Sequence, residues 1–293
     1  MFTHGGLLSR ICNSAACTRK PGVRYGYRPR SPMGRSGFRM RKAQSRSSNA
    51  PRVAWSLVLD LIVGLVAAVM LITFLNAWLE TPLVWASASI AAYLGMAAIV
   101  YRFWTAAGRR TDRRERFGWA NRVTLVRAVL VAVVAGVFTT PEIINRHGIV
   151  LASLALAAIA LDGLDGWLAR MVDDATRFGA RFDMEVDALL ILVLSVAVLL
   201  ADRAGAWVLA IGGTRYVFVL AGKLLPWLQG DLPPSTWRKA VCVAQGIVLA
   251  LALVPWLPAA LVQSALALSL AALVHSFGRD TLWLWRHRAV QHR

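Results

Sequence analysis

The feature that most constrains this chain is a series of apolar segments separated by short polar stretches. Hydrophobic residues make up 57% of the 293 residues, which is too apolar for a soluble domain. Most of the segments are long enough to cross the hydrocarbon layer of a bilayer as a helix. We therefore predict an all-α integral membrane protein. The eight predicted spans are 53–79, 83–104, 123–138, 149–170, 183–200, 207–228, 240–254 and 259–277.

The formal net charge of +18 could indicate binding to nucleic acid or to a membrane surface, and the positions of the charges distinguish the two. Residues 1–52 contain twelve Arg or Lys and no Asp or Glu, and the other basic residues cluster at the ends of predicted helices. This distribution is typical of cytoplasmic anchoring and of attraction to anionic headgroups. No basic stripe or nucleic-acid-binding motif accompanies it. We expect membrane lipids, and no nucleic acid, as partners.

Charge also orients the predicted helices. With the amino terminus in the cytoplasm, the 105–122, 171–182 and 229–239 connections and the carboxyl-terminal tail lie inside, and they hold nearly all the remaining Arg and Lys. The connections on the other side carry only Arg146 and Arg203. The positive-inside rule therefore predicts cytoplasmic termini. We expect a bacterial inner membrane.

Composition divides the chain into five parts. The amino-terminal part is rich in Arg, Ser, Gly and Pro, so we expect it to be disordered. It is either an organellar transit peptide or, as we favour, an extension ahead of a natural start at Met33 or Met40. The parts are a disordered basic segment (1–52), two added transmembrane helices (53–104), an interfacial basic linker (105–122), a six-helix membrane domain (123–277) and a basic cytoplasmic tail (278–293).

Residues 162–187 bring carboxylates to the ends of two otherwise apolar spans. An ionisable side chain in a membrane segment is costly unless it faces a cavity, a metal or a partner, so it suggests function. At about 100° per residue, Asp162 and Asp165 share one face of the fourth span. Asp183 and Asp187 stack one turn apart on the fifth. If these helices pack side by side, four carboxylates converge at the cytoplasmic edge of the bilayer.

The same residues suit a phosphorylated ligand. Hard divalent cations bind carboxylate oxygens, and Mg²⁺ commonly binds through a few carboxylates together with substrate phosphates. Gly166 and Ala169 leave the aspartate face of the fourth span without bulk, so a ligand can approach the helix closely. Arg170 offers a planar fork for phosphate. The residues alone thus favour a site for a metal ion and a phosphate.

These positions also carry a family resemblance. The run from Asp162 to Asp187 matches D-x2-D-G-x2-A-R-x8-G-x3-D-x3-D, the signature of class I CDP-alcohol phosphotransferases, also called CDP-alcohol phosphatidyltransferases. The resemblance covers a six-helix core over 121–277, which is preceded here by two added helices. The further positions that resemble the family are Asn121, Thr124, Arg127, Arg215, Lys239 and Gln245. Cys242 stands where the family often has threonine.

The resemblance implies transfer of a substituted phosphoryl group from a CDP-linked donor, usually CDP-diacylglycerol, to a small alcohol, with release of CMP. It also implies a homodimer and two bound Mg²⁺ or Mn²⁺ ions. The implied metal ligands are Asp162, Asp165, Asp183 and Asp187. Asp187 would also be the catalytic base that takes the proton of the acceptor hydroxyl. The residues implied for the CDP site are Gly166, Ala169, Arg170 and Gly179.

The acceptor is predicted from basic and polar residues of the resembling core. Thr124, Arg127, Arg215 and Lys239 would suit an acceptor that already carries phosphate, so glycerol 3-phosphate comes first. An inositol phosphate or another alcohol is the alternative. Two other classes stay open: an intramembrane prenyltransferase, which uses aspartate-rich helices at different spacing, and a cation transporter with an acidic site at mid-membrane.

Two further acids receive a structural interpretation. Glu185 projects from a different face of the fifth span than Asp183 and Asp187, so we do not expect it to bind metal. Asp60 lies in the first span, outside the resembling core. We expect it to pair with a residue of another helix.

Overall fold

The computed structural model describes residues 50–108, 119–172, 177–230 and 235–287. Within these ranges every regular element is a helix, which confirms the all-α prediction. The long helices are α1 Ala50–Leu79, α2 Leu83–Gly108, α3 Trp119–Ala135, α4 Glu142–Val172, α5 Arg177–Leu200, α6 Leu209–Leu224, α7 Thr236–Ala252 and α8 Ala259–His287. Short 3-10 helices cover Gly136–Thr139, Ala206–Val208 and Pro226–Gln229. The first 49 residues of the predicted basic segment, and residues 109–118 of the predicted interfacial linker, lie outside the described ranges.

Six stretches of the described chain are long and apolar enough to cross a membrane. They are Leu57–Leu79, Leu83–Thr105, Asn121–Thr139, Glu142–Gly163, Ala206–Leu224 and Ala259–His287. The fifth and seventh predicted spans are present as α5 and α7 but fall outside this group. The first half of α5 carries the acids Asp183, Glu185 and Asp187, and α7 has only 17 residues. The chain is therefore an all-α integral membrane protein.

Two helices extend beyond their predicted bounds. α4 begins at Glu142, ahead of the predicted start at 149, and bends at His147, where the backbone is not helical (φ −129°, ψ 26°). α8 continues past the predicted end at 277 to His287. The extension is held by a second apolar cluster, in which Leu284 packs with Leu228. Part of the predicted basic tail is thus a packed helix.

The centre of the bundle is α3. It contacts α1, α2, α4 and α5, and residues 131–134 on it are completely buried. A helix segment that is apolar on all sides is typical of a buried core or a membrane span, and here neighbouring helices cover residues 131–134 completely. The small and β-branched side chains of this segment allow those neighbours to approach closely. The position of α3 therefore decides how the helices around it meet.

On the side of the bundle opposite the aspartates, Arg203 connects the turn after α5 to the turn after α7 by hydrogen bonds. Its Nε donates a hydrogen bond to Ala252 O (3.1 Å), and its Nη2 donates to Val254 O (3.0 Å) and Leu257 O (2.7 Å). The last carbonyls of a helix have no partner within the helix, so a guanidinium that reaches them closes the end of α7. Arg203, an exception to the charge bias of the loops, is therefore a cap.

Replacing Arg203 tests this cap. Arg203→Met should lower the thermal unfolding midpoint of the purified protein in detergent by roughly 5 °C, because three carbonyls lose a charged donor. Arg146→Met is the matched control, since Arg146 is exposed and belongs to a connection predicted on the same side of the membrane. Equal midpoints for the two variants would show that the three hydrogen bonds do not stabilise the bundle.

Candidate functional site

Three of the four predicted aspartates converge beside α3. Among the described residues, α4 and α5 do not pack side by side as predicted, and each packs against α3 instead. Asp162 lies in the last third of α4, and Asp183 and Asp187 lie one turn apart in the first half of α5. One carboxylate oxygen from each residue lies within 4.8 Å of the others. The three side chains are 30%, 34% and 41% exposed, respectively. The oxygens are therefore close together and still accessible to a ligand.

The apolar residues of α5 determine which way its acids point. Phe182, Val186 and Leu190 recur at every fourth position and are buried in the core. Residues spaced by four share one face of a helix, so this stripe fixes the rotation of α5. Asp183 and Asp187 each follow a buried residue and lie beside the stripe, next to α3 and α4. Local sequence thus aligns both acids with Asp162.

Arg127 of α3 lies in the middle of the three aspartates. It is fully buried. Its Nη1 contacts Asp162 Oδ1 at 2.9 Å and also contacts Asp183, while its Nη2 contacts Asp187. A buried guanidinium requires counter-charges, and clustered carboxylates require a cation, so each side of the contact stabilises the other. Three carboxylates around one guanidinium still leave an excess of negative charge.

The remaining signature residues lie on the same two helices. Asp165, Gly166, Ala169 and Arg170 belong to α4, and their side chains fall outside the described part of the chain. The helical backbone places Asp165 about one turn beyond Asp162. Gly179 is half-buried in the first turn of α5. The signature is therefore divided between two helices that are consecutive in the sequence.

The four residues predicted to bind the acceptor are in different environments. Thr124 is buried on α3, one turn before Arg127. Arg215 of α6 forms an ion pair with Glu185 of α5 (3.1 Å). Lys239 is exposed near the start of α7. Arg127 thus joins the aspartate cluster, and Arg215 and Lys239 lie on other helices.

The structure also shows the partners of Glu185 and Asp60, for which the sequence predicted structural roles. Glu185 contacts α6 through Arg215, in agreement with the different face predicted for it. Asp60 pairs with Arg122 of α3 at 3.1 Å, as the prediction of a partner on another helix requires. Sequence analysis missed the contact of Arg127 with the aspartates. The signal was available, since an arginine inside an apolar span needs nearby acids.

The donor atoms at the site fit a hard divalent cation. Asp162, Asp183 and Asp187 offer only carboxylate oxygens, the ligand type that Mg²⁺ and Mn²⁺ prefer. Their partial exposure leaves room for the phosphate oxygens that usually complete a Mg²⁺ site. Arg127 contacts oxygens of the same three carboxylates, so the guanidinium and a bound cation would share them. The cluster can therefore hold a divalent ion.

Fold and site together define an all-α integral membrane protein with an acidic site suited to a cation and a phosphate. The sequence model of the family described as CDP-alcohol phosphatidyltransferase matches residues 117–275, which is more than half of the chain. The chain therefore belongs to the CDP-alcohol phosphatidyltransferase family and is a transferase. This confirms the resemblance found in the sequence. α1 and α2 lie ahead of the matched range.

One curated relative extends the comparison. The chain is 29% identical over 142 residues to a CDP-diacylglycerol--glycerol-3-phosphate 3-phosphatidyltransferase of Pseudomonas fluorescens. The aligned region covers 45% of this chain and 70% of the relative. No solved structure matches the chain.

The Arg127 contacts generate a prediction about metal binding. In Arg127→Gln, the thermal unfolding midpoint without divalent ions should fall, because the clustered carboxylates lose their counter-charge. Added Mg²⁺ should then raise the midpoint by more than in the wild type, because the guanidinium no longer shares the oxygens. The measurement is thermal unfolding in detergent with a chelator and across a Mg²⁺ titration.

Arg127→Lys is the control for this experiment, since it keeps a positive charge but loses the fork geometry. Its response to Mg²⁺ should lie between those of the wild type and Arg127→Gln. If the Mg²⁺ response is the same in all three proteins, Arg127 and the cation do not use the same oxygens.

Proposed function

We propose that the protein transfers a phosphatidyl-type group from CDP-diacylglycerol to glycerol 3-phosphate, with release of CMP, in phospholipid biosynthesis. The observation that carries the proposal is the convergence of Asp162 of α4 with Asp183 and Asp187 of α5, whose carboxylate oxygens lie within 4.8 Å of one another. Family membership supports a CDP-linked donor and an alcohol acceptor. The name of the Pseudomonas relative supports the particular acceptor.

The cofactor of this proposal is a divalent cation, Mg²⁺ or Mn²⁺, bound as two ions. The residues that would hold it are Asp162, Asp165, Asp183 and Asp187. The ions supply positive charge that neutralises the diphosphate of the donor and stabilises the departing CMP. A donor with lipid tails and a water-soluble nucleotide needs a site where membrane and water meet, and partly exposed acids near helix ends suit that depth.

Asp187 is the base of the proposed reaction. The hydroxyl oxygen of the acceptor forms a bond to the phosphorus that bears the diacylglycerol, and its proton moves to the Asp187 carboxylate. The bond from that phosphorus to the CMP oxygen breaks, so CMP carries away the electron pair. The contact from Arg127 Nη2 orients the Asp187 carboxylate. A base held in place by a neighbouring charge needs little reorganisation during proton transfer.

Binding of the nucleotide is assigned to Gly166, Ala169, Arg170 and Gly179. Small residues on α4 and α5 would let the diphosphate approach the backbone closely. Arg170 would contact phosphate as a fork. This assignment follows the family signature, and its residues flank the observed aspartate cluster along α4 and α5.

An acceptor phosphate is proposed to bind Arg215 and Lys239, with Thr124 and Arg127 nearer the aspartates. The Arg215 side chain is 26% exposed and pairs with Glu185, so a phosphate could replace Glu185 as its partner. A phosphate offers stronger, bidentate hydrogen bonds to the guanidinium than a half-exposed carboxylate. An inositol phosphate has the same recognition group and is the alternative acceptor.

The proposed setting is a bacterial inner membrane, with both termini and the active site on the cytoplasmic side. Asp162 lies at the end of the span Glu142–Gly163, and Asp183 lies near the start of α5. In this proposal Asp162, Asp165, Asp183 and Asp187 lie toward the membrane face to which the positive-inside rule assigns the basic connections. A homodimer is proposed from the family resemblance.

Transfer can be tested with membranes that contain the protein, supplied with radiolabelled CDP-diacylglycerol and Mg²⁺. CMP release should require an acceptor and should be fastest with glycerol 3-phosphate, then with an inositol phosphate. Inositol and serine are the acceptors without phosphate in the panel. If no CMP forms with any alcohol, the proposed reaction is wrong, and a prenyltransferase or a cation transporter becomes the better explanation of the acids.

The role of Asp187 can be separated from that of Asp162. Asp187→Asn should slow transfer by about 10²- to 10⁴-fold, because no carboxylate remains to take the proton. Radiolabelled CDP-diacylglycerol should still bind to this variant in the presence of Mg²⁺. Asp162→Asn should lose both transfer and donor binding. Equal loss of donor binding in the two variants would mean that Asp187 acts chiefly as a metal ligand.

A further inference from the structure

The two added helices, α1 and α2, lie ahead of the family range yet cover the central helix of the site. Both contact α3, which carries Arg127. The two helices are joined to each other by Tyr93, whose hydroxyl donates a hydrogen bond to Leu61 O (2.8 Å). Tyr93 is only 1% exposed. They therefore form one unit, the α1–α2 pair, placed against the back of α3.

Two glycines mark where this pair approaches its neighbours most closely. A Cβ on Gly64 of α1 would lie 2.2 Å from the Tyr93 hydroxyl and 3.1 Å from Leu125 Cδ2 of α3. A Cβ on Gly136, in the 3-10 turn after α3, would lie 2.1 Å from Ser89 Oγ of α2. Ser89 Oγ also donates a hydrogen bond to Val133 O (3.3 Å). Close approach at both ends of α3 leaves little room for it to turn or slide.

Asp60 forms the ionic contact between the pair and α3. One carboxylate oxygen lies 3.1 Å from Arg122 Nε, and the Asp60 side chain is only 15% exposed. Its other oxygen, Oδ2, is buried and accepts no hydrogen bond within the described residues. An acid near the start of the span Leu57–Leu79 requires a counter-charge, and Arg122 supplies it.

The contact lies on the opposite side of α3 from the catalytic aspartates. At about 100° per residue, Arg122 projects about 160° away from the centre of the arc formed by Asn121, Thr124 and Arg127. The rise between Arg122 and Arg127 is about 7.5 Å along the helix axis. A rotation or shift of α3 that lengthens the Asp60 contact therefore also moves Arg127 relative to the aspartates.

We propose that the α1–α2 pair is a brace that sets the rotation and depth of α3, and that Asp60 is a positioning residue for Arg127 at the aspartate cluster. The brace lets a helix with little polar surface present one guanidinium to three carboxylates on two other helices. Loss of the Asp60 charge removes the ionic constraint nearest the site, so Arg127 no longer holds the carboxylates in one arrangement. The kinetic part of the test rests on the proposed function, and the metal part does not.

The test compares Asp60→Asn with Tyr93→Phe in the full-length protein in detergent. Asp60→Asn should lower kcat by roughly tenfold, with the KM for CDP-diacylglycerol little changed, because a misplaced positioning group affects the reaction more than donor binding. The Mg²⁺ midpoint is the Mg²⁺ concentration that gives half of the maximal rise in unfolding midpoint. It should fall in Asp60→Asn, as in Arg127→Gln, because the guanidinium no longer competes as well with the cation for the carboxylate oxygens. Asp60→Glu, which keeps the charge, should retain wild-type behaviour in both measurements.

Tyr93→Phe is the matched control, because it removes a buried hydrogen bond of the pair without touching the charged end of α3. It should lower the unfolding midpoint but leave kcat and the Mg²⁺ midpoint unchanged. The double variant Asp60→Arg with Arg122→Asp should restore both quantities toward wild type. If Asp60→Asn does not accumulate as folded protein, Arg122→Gln can be used instead. It removes the same ion pair, and Arg122 is the more exposed of the two residues.

Two results would have different meanings. If Asp60→Asn and Tyr93→Phe both lower the unfolding midpoint and neither moves kcat or the Mg²⁺ midpoint, the pair is only structural and the inference is wrong. If the wild type releases no CMP, the proposed function fails, but the Mg²⁺ midpoint of Asp60→Asn still decides whether Asp60 positions the aspartate cluster.

Discussion

The contact between Arg127 and three aspartates is the interaction on which the rest of the structure depends. It joins α3 to α4 and α5 through Asp162, Asp183 and Asp187. Carboxylates this close repel one another, and a guanidinium buried between helices is unstable without acids. Neither group could stay in the bundle alone. The arrangement keeps the acids together and partly exposed, so a metal ion can reach them.

The membrane explains why the polar groups lie where they do. Buried charges in the described bundle occur as contacts between helices: Asp60 with Arg122, Arg238 with Asp280, and Arg127 with the aspartates. Arg203 instead binds the carbonyls at the end of α7. In each case the partner comes from another element, because lipid offers no polar alternative. Charge therefore determines which helices are neighbours, and apolar packing determines how closely they approach.

Sequence reasoning predicted the existence and type of the helices, and it predicted that Asp162, Asp183 and Asp187 would meet, because apolar length and helical period are local properties. The kink at His147 and the helical tail up to His287 were not predicted. The helical tail depends on packing between distant segments, in which Leu228 contacts Leu284. The partner of Arg127 was missed for a related reason. As a basic residue of the resembling core, Arg127 was expected to bind an acceptor phosphate, and the placement of α3 shows that its nearest acids are the aspartates.

The location of α3 also determines how α1 and α2 relate to the matched range. Residues 117–275 carry the matched core, and α1 and α2 add a second layer behind α3. A helix held on both sides has less freedom than one held only by its catalytic face. Arg127 meets three carboxylates on one face, and Arg122 meets Asp60 on the other, so the two ionic contacts oppose one another across the same helix. Because both contacts are made by the same helix, a rotation or shift of α3 would move Arg122 and Arg127 together.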